Sequence, residues 1–214
     1  MILWWLDSFM DALLNDFRHN LRKLLNDASG ISDAGIVAAE KISARLHDGG
    51  VDIRKPISKN QNPLAKTLES HVQESASINA NCLALLSSLH ALSDYLPWYK
   101  RPNANAKEFE QGHANAEILG PKGLDVRDDI LVGVTLMNPD LTYPDHHHPP
   151  EEVYVVLSEG LWRQENDPWW SPGVGGYVYN PPDILHAMKS QETPLCAIWC
   201  LNLTNAEHDF SLAT

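Results

Sequence analysis

The sequence predicts a mainly β protein with α-helices: an α-helical N-terminal region followed by one C-terminal double-sheet jelly-roll barrel (a double-stranded β-helix). Three observations predict it. Over residues 1–100 apolar side chains recur at three- and four-residue spacing, the period of an amphipathic helix. From residue 117 the period drops to two, and short apolar runs alternate with Gly, Pro, Asn and Asp turns. Several short strands within about 90 residues fit a double-sheet jelly roll, and the absence of an internal repeat argues for a single barrel.

Taken in order, Leu3, Leu6, Phe9, Met10, Leu13, Leu14 and Phe17 form one apolar stripe on a first helix. Ser32 and Asp33 are placed to cap a second helix carrying Ile36, Val37, Ala39, Ile42 and Leu46, which should stop near Gly49 and Gly50. A Pro- and Asn-containing stretch over 56–63 leads to a long third helix bearing Leu68, Val72, Ile78, Leu83, Leu85, Leu86 and Leu89, closed by Pro97. An amphipathic helix must hide its stripe, so these helices are expected to pack on the barrel or on a partner subunit, which leaves a homodimer open. Residues 101–116 are polar and read as a linker or mobile loop. Residues 117–214 read as the barrel, with strands at Ile130–Met137, Glu152–Leu157 and Leu195–Leu203.

The chain of 214 residues carries 28 acidic against 16 basic residues, a formal net charge of −12. That balance argues against a nucleic-acid partner, which would want a basic patch. It leaves small anionic ligands open, because a metal ion and a few local donors override net charge at short range. Cys82, Cys196 and Cys200 fit neither a disulfide framework nor CxxC zinc ligation, and the last two sit in an apolar run. They read as buried reduced thiols, as expected in the cytoplasm. The apolar start from Met1 to Leu6 lacks a basic flank and is interrupted by Asp7, Asp11 and Asp16, unlike a signal peptide. No uncharged run of about 18 residues calls for a membrane span, so no membrane partner is expected.

The residues with chemistry cluster between Tyr143 and Tyr154 and at His186. Alternation along a strand places Glu152, Tyr154 and Val156 on one face and Val153, Val155 and Leu157 on the other. His146 and His148 likewise share a face, with His147 directed elsewhere. Imidazoles, a carboxylate and a phenol make a mixed N/O set suited to one divalent transition metal, Zn, Fe, Mn, Ni or Co. An N/O site with an open position is more often catalytic than structural. Three adjacent histidines alone are as easily a polar turn; Glu152 and His186 tip the balance toward a metal site.

His146-x-His148-x-x-x-Glu152, then Gly160 where a hairpin should turn, resembles the first metal motif of cupins. Gly175-Gly176, Pro181-Pro182-Asp183 and His186 resemble the second. More narrowly, Tyr143-Pro-Asp-His-x-His148, Glu152-x-Tyr154 and Asn180-Pro-Pro-x-x-x-His186-Ala-Met188 are similar to the cupin-type dimethylsulfoniopropionate (DMSP) lyases. The resemblance implies a metal held by His148, Glu152, Tyr154 and His186; His146 is kept as a substrate-binding pocket residue or an alternative ligand. It also implies cleavage of DMSP to dimethyl sulfide and acrylate, with Tyr154 or Tyr143 as general base. A sulfonium suits an aromatic wall; of Trp162, Trp169, Trp170, Tyr177, Tyr179 and Trp199, the choices for substrate binding are Tyr179 and Trp199. Two rivals remain at this point, a cupin Fe(II) dioxygenase acting on a small acid or thiol and a non-enzymatic, metal-dependent small-molecule-binding cupin. A sugar-phosphate isomerase is less favoured, because Arg163 and Lys189 are too few for a phosphate clamp.

Overall fold

Helices lead and strands follow in a computed structural model describing residues 2–46, 52–53, 62–66, 68, 79–102 and 107–203. Helices α1 (Ile2–Asn26), α2 (Asp33–Arg45) and α3 (Ala80–Leu92) precede the sheets, and none is long and apolar enough to cross a membrane. Ser32 caps α2 by accepting from the Gly35 amide at 3.2 Å, and Asn79 caps α3 through the Asn81 and Cys82 amides. Val37, assigned to the buried stripe of α2, faces solvent instead, while Ala38, Ala39 and Ile42 turn inward. The side chains of Leu3 and Leu6, the Gly49–Gly50 stop, most of the 56–63 stretch, Val72 and Ile78 lie outside the described residues.

The strands are β1 (Asp52–Ile53), β2 (His113–Gly120), β3 (Asp125–Val126), β4 (Ile130–Met137), β5 (Thr142–His146), β6 (Glu152–Val156), β7 (Leu161–Gln164), β8 (Tyr177–Asn180), β9 (His186–Lys189) and β10 (Leu195–Asn202). They form a seven-stranded sheet in the order β1-β3-β2-β4-β10-β6-β8 and a three-stranded sheet in the order β5-β9-β7. From β4 onward successive strands fall alternately in the large and the small sheet, so each connection crosses between them. That is jelly-roll winding. Among the described residues the two sheets stay separate and face each other rather than closing into one hydrogen-bonded barrel.

Part of the segment expected to be a linker is structured. A short helix α4 (Lys107–Gly112) runs directly into β2, which is buried along its length from His113. The segment looks polar because His113, Asn115 and Glu117 alternate inward along β2 and are buried there.

The large sheet is buried on both faces. Its outer face, with Val132, Val134, Val153, Val155, Ile198 and the free thiols Cys196 and Cys200, packs under Phe17, Leu21, Leu25, Ile42 and Leu86 of the helices. Its inner face, with Leu131, Tyr154, Val156, Ala197 and Leu201, meets Tyr143, Trp162 and Met188 of the small sheet. Double burial is why β4 and β10 read as near-continuous apolar runs rather than strict alternations. The Tyr177 hydroxyl donates to the Leu24 carbonyl at 2.6 Å, tying the end of α1 to β8. Gly35 lets α2 approach closely, since a Cβ there would fall 2.7 Å from Tyr179 Cβ.

Gly133 serves the inner face. A Cβ on it would lie 2.1 Å from the Trp199 ring, which crosses over β4 at this position. Gly133→Ala is therefore expected to displace Trp199 and to destabilise the fold by about 1–3 kcal/mol, the usual range for overpacking. Thermal melting with tryptophan fluorescence checks this; an unchanged melting temperature and emission would contradict it.

Candidate active site

The inner faces of the two sheets converge on a cavity lined by Tyr99, Arg101, Asn115, Tyr143, His146 and Glu152, with His148, Tyr154, Thr135, Trp199 and Leu201 completing the wall. Strand register brings the separate sequence motifs together. Glu152 on β6 stands opposite Asn180 on β8, and His146 on β5 stands opposite His186 on β9. His148 lies in the connection from β5 to β6, where Pro149 and Pro150 redirect the chain. The large sheet thus supplies Glu152 and Tyr154, and the small sheet supplies His146 and His186.

The ligand atoms of His148, Glu152 and His186 all lie within 4.8 Å of one another, and all three residues are buried. Nε2 of His148 and Nε2 of His186 are each 3.4 Å from the same oxygen, Glu152 Oε2. That oxygen also accepts from Asn180 Nδ2 at 2.8 Å, and Gln164 Nε2 donates to Asn180 Oδ1 at 2.8 Å. Nδ1 of His148 is 2.9 Å from the Pro150 carbonyl, and Nδ1 of His186 is 2.9 Å from the Ile184 carbonyl. A carbonyl only accepts, so each Nδ1 carries a proton, and each Nε2, once free of its own proton, would turn a lone pair to the centre. Beyond Glu152, buried His186 Nε2 has no polar partner among the described residues. Two inward lone pairs, a carboxylate and a backbone-fixed tautomer are what a divalent cation requires. The residues fit a metal.

His146 borders this group with its ring centroid 4.1 Å from that of His186, and its Nδ1 is held by the Pro144 carbonyl at 2.9 Å. Exposed His147 points outward, its Nδ1 3.9 Å from Asp183. Tyr154 stands beside Glu152 on the same face of β6, and Tyr143 stands across the cavity with its ring centroid 4.7 Å from His146. Arg101 Nη1 donates to the Tyr143 hydroxyl at 3.1 Å. Trp199 Nε1 donates to Thr135 Oγ1 at 3.1 Å, and Thr135 Oγ1 donates to Asn115 Oδ1 at 2.6 Å, so the indole edge is pinned in the wall.

Of the two aromatic residues chosen for substrate binding, only Trp199 lines the cavity. Tyr179 does not. It falls on the outer face of β8, against Gly35 of α2, and its hydroxyl donates to Glu151 Oε2 at 3.2 Å. The reason is parity: Glu152 and Asn180 are paired inward, so Tyr177 and Tyr179 must both point out. Trp162 is packed between the sheets, and Trp169 lies between Arg163 and Lys189, with their charges 4.8 and 4.6 Å from its ring. Sequence reasoning missed Tyr99, Arg101, Asn115, Thr135, Leu201 and the supporting role of Asn180. The alternation Tyr99-x-Arg101 and Asn115-x-Glu117 was the available signal, obscured because a polar run next to Pro102 looks like a loop.

Electrostatics set the protonation states. Burial alone would push the Glu152 carboxyl up, but the His148 and His186 imidazoles outweigh it and hold it well below its ordinary value of 4.5. Burial would likewise lower His148, yet the Glu152 charge and hydrogen bond raise it above 6.5. His146 is held well below 6.5 by burial, with the His186 and Arg101 charges adding to it. Burial pushes Tyr143 up, opposed by Arg101. Burial, and next the Glu152 charge, push Tyr154 well above 10.0.

In metal-free protein the raised His148 contributes stability below its unfolded pKa that is lost as pH climbs through its folded value. The lowered Glu152 contributes stability above its unfolded pKa that is lost as pH falls through its folded value. The stabilising effect of the pair is therefore largest between those limits. Glu152→Gln is expected to lower the melting temperature of metal-free protein most at pH values just above 4.5 and below the raised His148 pKa, and least in alkali. It should also bring the His148 titration, followed by NMR, down. A pH-independent penalty with no shift in His148 would contradict this.

Comparison with protein families matches residues 36–197 to the DMSP lyase family. The putative dimethylsulfoniopropionate lyase DddL of Cereibacter sphaeroides is 22% identical over 145 residues, which is 67% of this chain but 62% of the relative's own length. The dimethylsulfoniopropionate lyase DddQ of Ruegeria pomeroyi is 26% identical over 145 residues, covering 67% of this chain and 72% of the relative. The crystal structure of that DddQ superposes with a TM-score of 0.61 at 22% identity, covering 91% of this chain and 94% of the other, so the two share a fold.

Proposed function

The chain belongs to the DMSP lyase family, and from that membership we propose that it is a metal-dependent carbon–sulfur lyase with a tyrosine general base, cleaving DMSP to dimethyl sulfide and acrylate. The observation that carries this reading is the buried His148–Glu152–His186 group, of which His148 and Glu152 line one cavity with two tyrosines, Tyr143 and Tyr154. His148, Glu152 and His186 would hold the ion, with the Tyr154 oxygen as a fourth ligand. The ion, one of Zn, Fe, Mn, Ni or Co, would supply Lewis acidity toward the substrate carboxylate. The three buried thiols support a cytoplasmic setting.

The residues divide the rest of the reaction among themselves. A tyrosinate removes the proton α to the carboxylate. The C–H electron pair forms the Cα=Cβ bond while the Cβ–S bond breaks, and dimethyl sulfide leaves with the sulfur electron pair. A neutral thioether departing from a sulfonium needs no general acid, so a single base is enough. Burial raises both tyrosines, so each needs a nearby positive charge to ionise: Arg101 for Tyr143, and the bound cation for Tyr154. The sheets and Trp199 exclude bulk water around the developing charge.

Headspace assay of dimethyl sulfide, with acrylate measured in parallel, tests the reading before and after chelation. Equal amounts of both products, lost on chelation and regained with metal, are expected. No release from folded, metal-loaded protein would overturn it. Tyr154→Phe and Tyr143→Phe separate the bases: the true base should lose about 10²–10⁴ in kcat with metal content intact. Activity should also fall as pH drops and the tyrosinate is protonated. Near-normal turnover in both variants would remove the tyrosine base.

A further inference from the structure

Arg101 enters the cavity by a route that holds it firmly. Tyr99 and Asn115 exchange two backbone hydrogen bonds, of 2.8 and 2.9 Å, which dock residues 99–101 beside β2 as a short extra edge strand. The Arg101 amide then donates to His113 Nε2 at 2.9 Å. His113 Nδ1 faces the Phe109 carbonyl and its ring stacks on Phe109 at 3.8 Å, so its proton sits on Nδ1 and Nε2 accepts. Alternation places Tyr99 and Arg101 on the cavity side. Lys100 turns away, and its Nζ donates to the Gln111 carbonyl at 2.9 Å.

Among the residues lining the cavity, Arg101 is the one side chain with a permanent positive charge. Among the described residues it has no carboxylate within ion-pair distance. Its neighbours in the wall are phenols: Tyr143, by hydrogen bond, and Tyr99 and Tyr154. A half-buried guanidinium is normally matched by an anion, and its planar fork suits a carboxylate in particular. The same charge repels a cation.

We propose that Arg101 recognises the carboxylate end of the substrate and turns the cationic end away from its wall. The identity of the zwitterion rests on the lyase reading above; recognition of a short carboxylate does not. A charge at one wall fixes the orientation of a molecule with opposite charges at its two ends. It brings the carbon next to the carboxylate toward Tyr143, whose hydroxyl Arg101 holds, and leaves the sulfonium methyls directed away from that wall.

The test uses metal-loaded protein and two ligands of nearly equal shape, propionate and uncharged propionamide, titrated by calorimetry into wild type, Arg101→Gln and Arg101→Lys. Wild type should prefer propionate, and Arg101→Gln should reduce the ratio of the two dissociation constants about tenfold, equivalent to about 1.4 kcal/mol. A general loosening of the fold, or the loss of a brace for Tyr143, would weaken both ligands together and leave the ratio unchanged. That result overturns the proposal, as would a wild type with no preference. Arg101→Lys keeps the charge without the fork and should show a smaller fall. It carries the same test should the Gln variant not fold, and an unchanged ratio there also overturns the proposal. Calorimetry needs no turnover, so the outcome is independent of whether dimethyl sulfide is released.

Discussion

A carboxylate buried between two sheets is the constraint around which the molecule is arranged. Glu152 is 3% exposed in an interior otherwise dominated by Tyr154, Val156, Trp162 and Met188. An unpaired charge there would cost several kcal/mol even after relaxation, so it must be met from every side. Strand pairing brings Asn180 from β8, the facing sheet brings His186, and the Pro149–Pro150 turn brings His148. Losing any one leaves the others buried and less well paired. Folding thus draws on the same atoms that would hold a metal.

The neighbouring carboxylate shows how the outer layer serves this interior. Glu151 points the opposite way from Glu152, as alternation requires, and accepts from Asn202 Nδ2 at 2.9 Å and from Lys41 Nζ at 3.4 Å. Tyr179 completes that cluster, and Gly35 lets α2 come close enough to form it. Two adjacent glutamates therefore anchor two layers, Glu151 the helix and Glu152 the cavity. The helices cover the outer face of the large sheet, which frees its inner face to carry polar groups at a few positions. A change that shifts α2 should reach the cavity through β6.

The sequence made the chemistry legible where period and spacing are tight. Glu152-x-Tyr154 shares a strand face by simple alternation, and the His148-to-Glu152 spacing with a distant His186 is a metal pattern in any fold that juxtaposes two strands. Tyr179 shows the limit. It lies close to His186 in sequence, but its side depends on register with β6, which a single strand does not reveal. Arg101 shows another. It reaches the cavity through a two-bond pairing with Asn115, and a single bridge is too short for its alternation to stand out from a polar loop. Val37 falls at helical spacing yet outside, because a period gives a stripe without giving its width. The strands read from the sequence, Ile130–Met137, Glu152–Leu157 and Leu195–Leu203, all fall in the seven-stranded sheet, whereas the three-stranded sheet was not legible because its strands are four or five residues long and only partly apolar.

The central claim is that the His148–Glu152–His186 group is a metal-holding catalytic centre built from nitrogen and oxygen ligands. X-ray absorption at the metal edge of the purified, metal-loaded protein tests it most directly, because it reads the ligand atoms without reference to any substrate. The account predicts one bound transition metal with imidazole nitrogens and oxygens in its inner sphere and no sulfur. A sulfur ligand, or an ion retained after His186→Ala with an unchanged spectrum, would contradict it.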